Sequence, residues 1–134
     1  MHVFRLGSSR EFLEVVLPPE IKSQNWAKAS VNLAVEGFVG NLQTFFDKDD
    51  FSEFLRQLKE LNRTLLGKAK LEPLDQQCML CLSVDARGHL KIEGEASSRV
   101  SSGNRLTFEF ELDQSYLPEP LGQVEAIVQN WTEE

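Results

Sequence analysis

Cysteine and histidine are scarce in this chain of 134 residues, two of each, and the longest uninterrupted apolar run, Cys78 to Leu82, is five residues. A run that short falls far below the roughly 20 apolar residues of a membrane-spanning helix. The opening MHVFRLGSSREFLEVVL lacks the basic-then-apolar profile of a signal peptide, which makes the cytoplasm the expected location. Two cysteines supply no disulfide framework, and none is needed, because a single domain of this size buries roughly two thirds of its unfolded surface. With only His2 and His89 there is little material for general-base chemistry. Neither a Gly-rich phosphate loop nor an HExxH pair is present.

The chemistry that remains reads as structural. Cys78 and Cys81 have CxxC spacing, but such a redox pair sits at a helix N-terminus and a zinc site needs a second ligand pair. On a strand, positions three apart point to opposite faces, which sends Cys78 into the core and Cys81 to the other side as two reduced thiols. The carboxylates Asp47, Asp49 and Asp50 lack the central Gly and final Glu of a calcium loop and precede an amphipathic run, so they read as helix caps. Ser83, Asp85 and His89 are the one cluster with nucleophile, carboxylate and base. On an open hairpin without a pocket or oxyanion donors, their simpler role is to stabilise a turn. No catalytic residue, cofactor site or metal site is assigned.

The net charge of -7 is unevenly shared. Residues 1 to 67 hold eight Lys/Arg against nine Asp/Glu, whereas residues 68 to 134 hold six against twelve. An acidic second half repels nucleic acid and anionic membrane and favours encounter with a basic partner.

Periodicity supplies the architecture. Phe4 and Leu6 alternate with Val3 and Arg5, a GSS turn follows, and Phe12 to Leu17 runs into Pro18-Pro19, which predicts a hairpin at one sheet edge. Ala27, Ala29, Val31, Leu33 and Val35 alternate with polar residues as a half-buried strand, and Leu42, Thr44 and Phe46 return past a turn region at Gly37 and Gly40-Asn41. Phe51, Phe54, Leu55, Leu58, Leu61 and Leu65 then form one helical stripe, with Gly67 as its left-handed cap.

In the second half, Asp85-Ala86-Arg87-Gly88 predicts a type I turn with Gly in the left-handed region, pairing Val84 with Leu90, Leu82 with Ile92 and Leu80 with Gly94 on the core side. A polar loop from Ser97 to Gly103 leads to the strand of Leu106, Phe108, Phe110 and Leu112, whose outer face carries Glu109 and Glu111. Two registers keep these faces matched: Lys91 opposite Glu109, or Glu93 opposite Glu109 with Phe108 covering Gly94. Charge complementarity favours the first. Leu117, Leu121, Val124, Ile127, Val128 and Trp131 have helical spacing, with Pro118 or Pro120 in the first turn. Leu42 to Leu58 and Leu106 to Val124 each run strand, aspartate, aromatic, amphipathic helix. The expected fold is a single α+β domain, 1–134, with two similar parts, 1–67 and 68–134. It combines a twisted antiparallel sheet of about seven or eight strands with two helices packed on the face of Phe108 and Phe110.

Three stretches, GFVGNLQTFFDKDDFSEFLRQLKELNRTLLGKAKLE, DARGHLKIEGE and NRLTFEFELDQSYL, together resemble the WapI-type immunity protein family, small bacterial proteins that neutralise partner toxins. The likeness runs from about Trp26 to the last helix. It implies a non-catalytic interaction protein whose partner is a cognate toxin, and the acidity suits a basic toxin such as a nuclease. The expected contact residues are Glu93, Glu95, Glu109 and Glu111 on the acidic face and Arg99 in the 97–104 loop. Two alternatives stay open: a ligand-binding or enzymatic module using Asp85, His89 and Ser83, and a domain that pairs with its own copy as a homodimer.

Overall fold

The computed structural model describes residues 2–19, 21–22, 26–100 and 102–132. The first half runs β1 (His2–Gly7), β2 (Phe12–Leu17), β3 (Ile21–Lys22), β4 (Trp26–Val35), β5 (Phe38–Asp47) and α1 (Lys48–Thr64). The second runs β6 (Lys68–Leu71), β7 (Cys78–Val84), β8 (His89–Arg99), β9 (Ser102–Asp113), a 3-10 turn at Gln114–Tyr116, α2 (Pro118–Gln129) and β10 (Trp131–Thr132).

The fold is α+β, but its strands form two antiparallel four-stranded sheets, β1-β2-β4-β5 and β6-β7-β8-β9, not the single sheet of seven or eight strands expected. β3 and β10 make a separate parallel pair. The reason is local. Within each half, neighbouring strands are joined by turns or, from β2 to β4, by a short connection that carries β3, whereas the 17-residue α1 separates β5 from the next strand and no turn connects them. Alternation identifies the buried face of a strand and is silent about which sheet it joins. Both sheets contribute to one apolar core, Phe4, Val31 and Phe46 from the first, Leu71, Leu80, Ile92 and Phe110 from the second, with Phe51, Phe54 and Leu58 of α1.

The helices cross between halves. α1 packs against β6, the edge of the second sheet, and α2 against β1, the edge of the first, while the two helices also touch each other. A glutamine seals each edge. The Lys70 backbone N–H donates to Gln57 Oε1 at 2.9 Å, and the Arg5 backbone N–H donates to Gln123 Oε1 at 2.7 Å. These side chains satisfy strand donors that water or a foreign strand would otherwise take. A third glutamine links the sheets themselves: buried Gln77 donates from Nε2 to the carbonyls of Gln43, at 2.9 Å, and Ser97, at 3.1 Å.

The two strand-to-helix junctions match. Asp47 ends β5 and accepts from the Asp49 N–H at 2.9 Å, and Asp113 ends β9 and accepts from the Ser115 N–H at 2.9 Å. Asp50 completes a capping box by accepting from the Asp47 N–H at 2.8 Å. Two helix ends differ from expectation. Leu65, not Gly67, takes the left-handed C-cap of α1, with φ 57°. Trp131 lies beyond α2 in β10, where it pairs with Ile21 and remains buried.

The Asp85–His89 turn and the β7–β8 register are as predicted, with Val84 opposite Leu90, Leu82 opposite Ile92 and Leu80 opposite Gly94. The β8–β9 hairpin takes the other register, Glu93 opposite Glu109. Gly94 explains this. Phe108 crosses it so closely that a Cβ there would overlap the ring and lie 2.7 Å from the Met79 carbonyl. Nor is 97–104 a polar loop: β8 extends to Arg99 and β9 begins at Ser102, with a register shift between Ser97 and Arg99. Ser101, within that stretch, lies outside the described residues.

Candidate functional site

The outer face of the second sheet is built by the same alternation that buries its inner face. Lys68 and Lys70 of β6, Met79, Cys81 and Ser83 of β7, Lys91, Glu93 and Glu95 of β8, and Thr107, Glu109 and Glu111 of β9 project from it in cross-strand rows. One row reads Lys70, Cys81, Glu93, Glu109. The face is concave and holds an open cavity of about 490 Å³, with Lys68 and Lys70 on one side and Glu93, Glu95 and Glu109 on the other.

Its charge is bipolar. Lys91 Nζ lies 3.2 Å from Glu109, and Arg105 lies 2.7 Å from Glu95, both reaching diagonally across the β8–β9 pair. The hydrogen bond to Glu109 raises the Lys91 ammonium above its ordinary range. Among the described residues Glu93 and Glu111 hold no ion pair, and neither do Lys68 and Lys70, so the face presents free charge of both signs, negative toward β8 and β9 and positive on β6. Glu111 shares the face, opposite Lys91, without lining the cavity. Arg99 is exposed at the end of β8, also outside the cavity lining, so the structure does not gather all five expected contact residues at one point.

The two cysteines divide between faces. Burial pushes the Cys78 thiol up to about 12, and burial also raises Cys81, an effect that Lys68 and Lys70 partly offset. Asp85 caps its own turn, accepting from the backbone N–H of His89 at 3.0 Å and of Arg87 at 2.9 Å, and the first of these bonds is the main cause that holds its carboxyl below the usual range. His89 Nδ1 is 3.6 Å from Asp85 Oδ2 with both side chains about half exposed, and Ser83 pairs across the sheet with Lys91. Solvent reaches this cluster freely. Among the described residues, no group of three or more His, Cys, Asp or Glu is placed to hold a metal ion, and no helix is long and apolar enough to cross a membrane.

The outer face of the first sheet has another chemistry. Val16, Ser30, Asn32, Asn41 and Gln43 line an open cavity of about 400 Å³, and Gln43 Nε2 donates to Ser30 Oγ at 2.8 Å. Two features are missed by reasoning from the sequence. Gln77 has no local signal, since its partners lie 34 and 20 residues away. The exposed Trp26 and Phe45 have one: both fall on the polar parity of their strands.

Among curated proteins none matches. Among solved structures, one described as Trypanosoma brucei MRP1/MRP2 superimposes with a TM-score of 0.51 at 9% identity, covering 92% of this chain and 79% of that one. A guide-RNA-binding protein complex bound to a guide RNA superimposes with a TM-score of 0.52 at 10% identity, covering 90% and 81%. At such identity these likenesses show the fold alone. The family model of WapI-like immunity proteins matches residues 5–132, nearly the whole length, and on that match the chain belongs to the WapI-like immunity protein family.

Proposed function

We propose that the chain neutralises a cognate bacterial toxin domain by binding it in the cytoplasm, with no catalysis of its own, and that the outer face of the second sheet makes the contact. The family match over residues 5–132 carries the first part. The cavity with Glu93, Glu95 and Glu109 on its wall supports the second. A partner that complements this face is basic where it meets β8 and β9 and acidic where it meets Lys68 and Lys70. A nuclease domain fits this description, because Lys and Arg that hold phosphates would be occluded by glutamates. The guide-RNA ligand belongs to the structural neighbour and does not transfer, since a likeness at 10% identity shows the fold alone.

Binding of the adjacent gene's product, measured at low and high salt, tests the proposal. The expected association rate falls steeply as salt rises, and the double reversal Glu93→Lys with Glu111→Lys weakens binding by slowing association. Unchanged affinity in that variant removes this face from the interface. Lack of any binding removes the neutralising role itself.

A further inference from the structure

A second surface lies across the 72–75 segment from the outer face of the second sheet. Glu72 lines the cavity of the second sheet, and the next residue, Pro73, lines a cleft of about 340 Å³ shared by both halves. Trp26 and Phe45 form one apolar part of that cleft, edge to face with ring centroids 5.0 Å apart, and Leu74 forms another. These side chains are 51%, 46% and 99% exposed. Large apolar groups held open in this way contribute little to the core and mark contact surfaces.

The polar part of the lining is acidic throughout. Asp47, Asp50 and Asp75 line the cleft, and among the described residues no lysine or arginine does. Asp47 caps the first turn of α1, accepting from the backbone N–H groups of Asp49 and Asp50, while Asp50 accepts from the Asp47 N–H and Asp75 from the Gln77 N–H. The three charges crowd one another. Burial raises the Asp50 carboxyl to about 6, and Asp47, Asp75 and Asp49 add to the rise. The carboxylates do not converge as a metal site among the described residues. The cation that suits aromatic faces beside dispersed carboxylates is broad, flat and weakly hydrated, and guanidinium has those properties where ammonium does not.

We propose that the cleft between Trp26, Phe45 and Leu74 is a socket for one arginine side chain of a partner protein, stacked on the aromatic rings and paired with Asp50 and Asp75. This goes beyond the toxin reading, because the socket is defined by its own residues whatever partner docks on the neighbouring face.

The test is an amide and indole chemical-shift titration of the full chain with the peptide acetyl-Gly-Arg-Gly-amide, against the same peptide carrying citrulline or lysine. The expected result is saturable shifts centred on the Trp26 indole, Phe45, Leu74 and Asp75, with the citrulline peptide binding about tenfold more weakly and the lysine peptide weaker than arginine. Leu74→Ser, at an exposed position, and Asp75→Asn, at a half-buried one where the amide oxygen can still accept from the Gln77 N–H, are expected to weaken the arginine peptide while leaving the rest of the spectrum in place. Equal binding of citrulline would reduce the socket to an apolar patch, and equal binding of lysine would remove the guanidinium assignment. Non-saturating shifts, or full binding by both variants, would overturn the proposal.

Discussion

The two sheets share a skeleton and differ in their outer faces. Each is a four-stranded antiparallel meander leading into a helix, each ends in an aspartate that caps the turn after it, and each has its first strand sealed by a glutamine. Outside, the first sheet is joined by the Gln43–Ser30 bond and by Glu14, which takes both Asn32 and Arg5, while the second is joined by Lys91 with Glu109 and Arg105 with Glu95. Folding constrains the inner alternation and leaves the outer positions free to diverge. A partner that tells the halves apart must therefore read the outside.

The largest expected effect removes what the halves share. Phe54 is fully buried in α1 and meets Phe4 of the first sheet edge to face at 5.6 Å, so Phe54→Ala is expected to cost about 3–5 kcal/mol in a urea titration. Unlinking the sheets comes next. Gln77→Leu leaves the Gln43 and Ser97 carbonyls without their donor, for an expected loss of about 2–3 kcal/mol. A loss below measurement error would mean that water replaces the side chain.

The same substitution in each sheet sharpens the contrast. Gly94→Ala places a methyl against Phe108 and the Met79 carbonyl, which is expected to cost about 1–3 kcal/mol. In the first sheet Gly40 has nothing within 4 Å of an added Cβ, so Gly40→Ala is expected to be neutral or stabilising by up to about 1 kcal/mol. Equal effects at the two positions would show that the Phe108 contact does not set the register.

The smallest effect is a pH dependence confined to the first half. The Asp50 carboxyl is raised from the ordinary 3.8 to about 6 in the fold, chiefly by burial. A raised carboxyl contributes stability that is full below the unfolded value and is lost as pH rises through the folded one. Asp50→Asn is therefore expected to match the parent near pH 4 and to exceed it near pH 7 by about 1 kcal/mol, an amount reduced because the group is half exposed. Parallel stability profiles from pH 4 to 7 would contradict this.

Much of the fold was legible wherever a short-range rule applied. The three-residue turn at Asp85 settled every pair of the β7–β8 hairpin, and apolar spacing located five buried residues of α1. The β8–β9 register was not legible from charge, because long side chains reach diagonal partners: Lys91 finds Glu109 and Arg105 finds Glu95 even with the strands shifted by two. The division into two sheets depends on pairs that do not form, and the bridge through Gln77 depends on residues far apart in the chain. Of the candidate site, alternation placed Glu93, Glu95, Glu109 and Glu111 on one face, but Arg99 was assigned to a loop that is strand.

The crossed helices also order events during synthesis. β1 leaves the ribosome long before the helix that covers its edge, Pro118–Gln129. Nascent first halves therefore wait with an open strand edge while the second half is made, and their protection against pairing with neighbouring nascent chains depends on how quickly translation reaches α2.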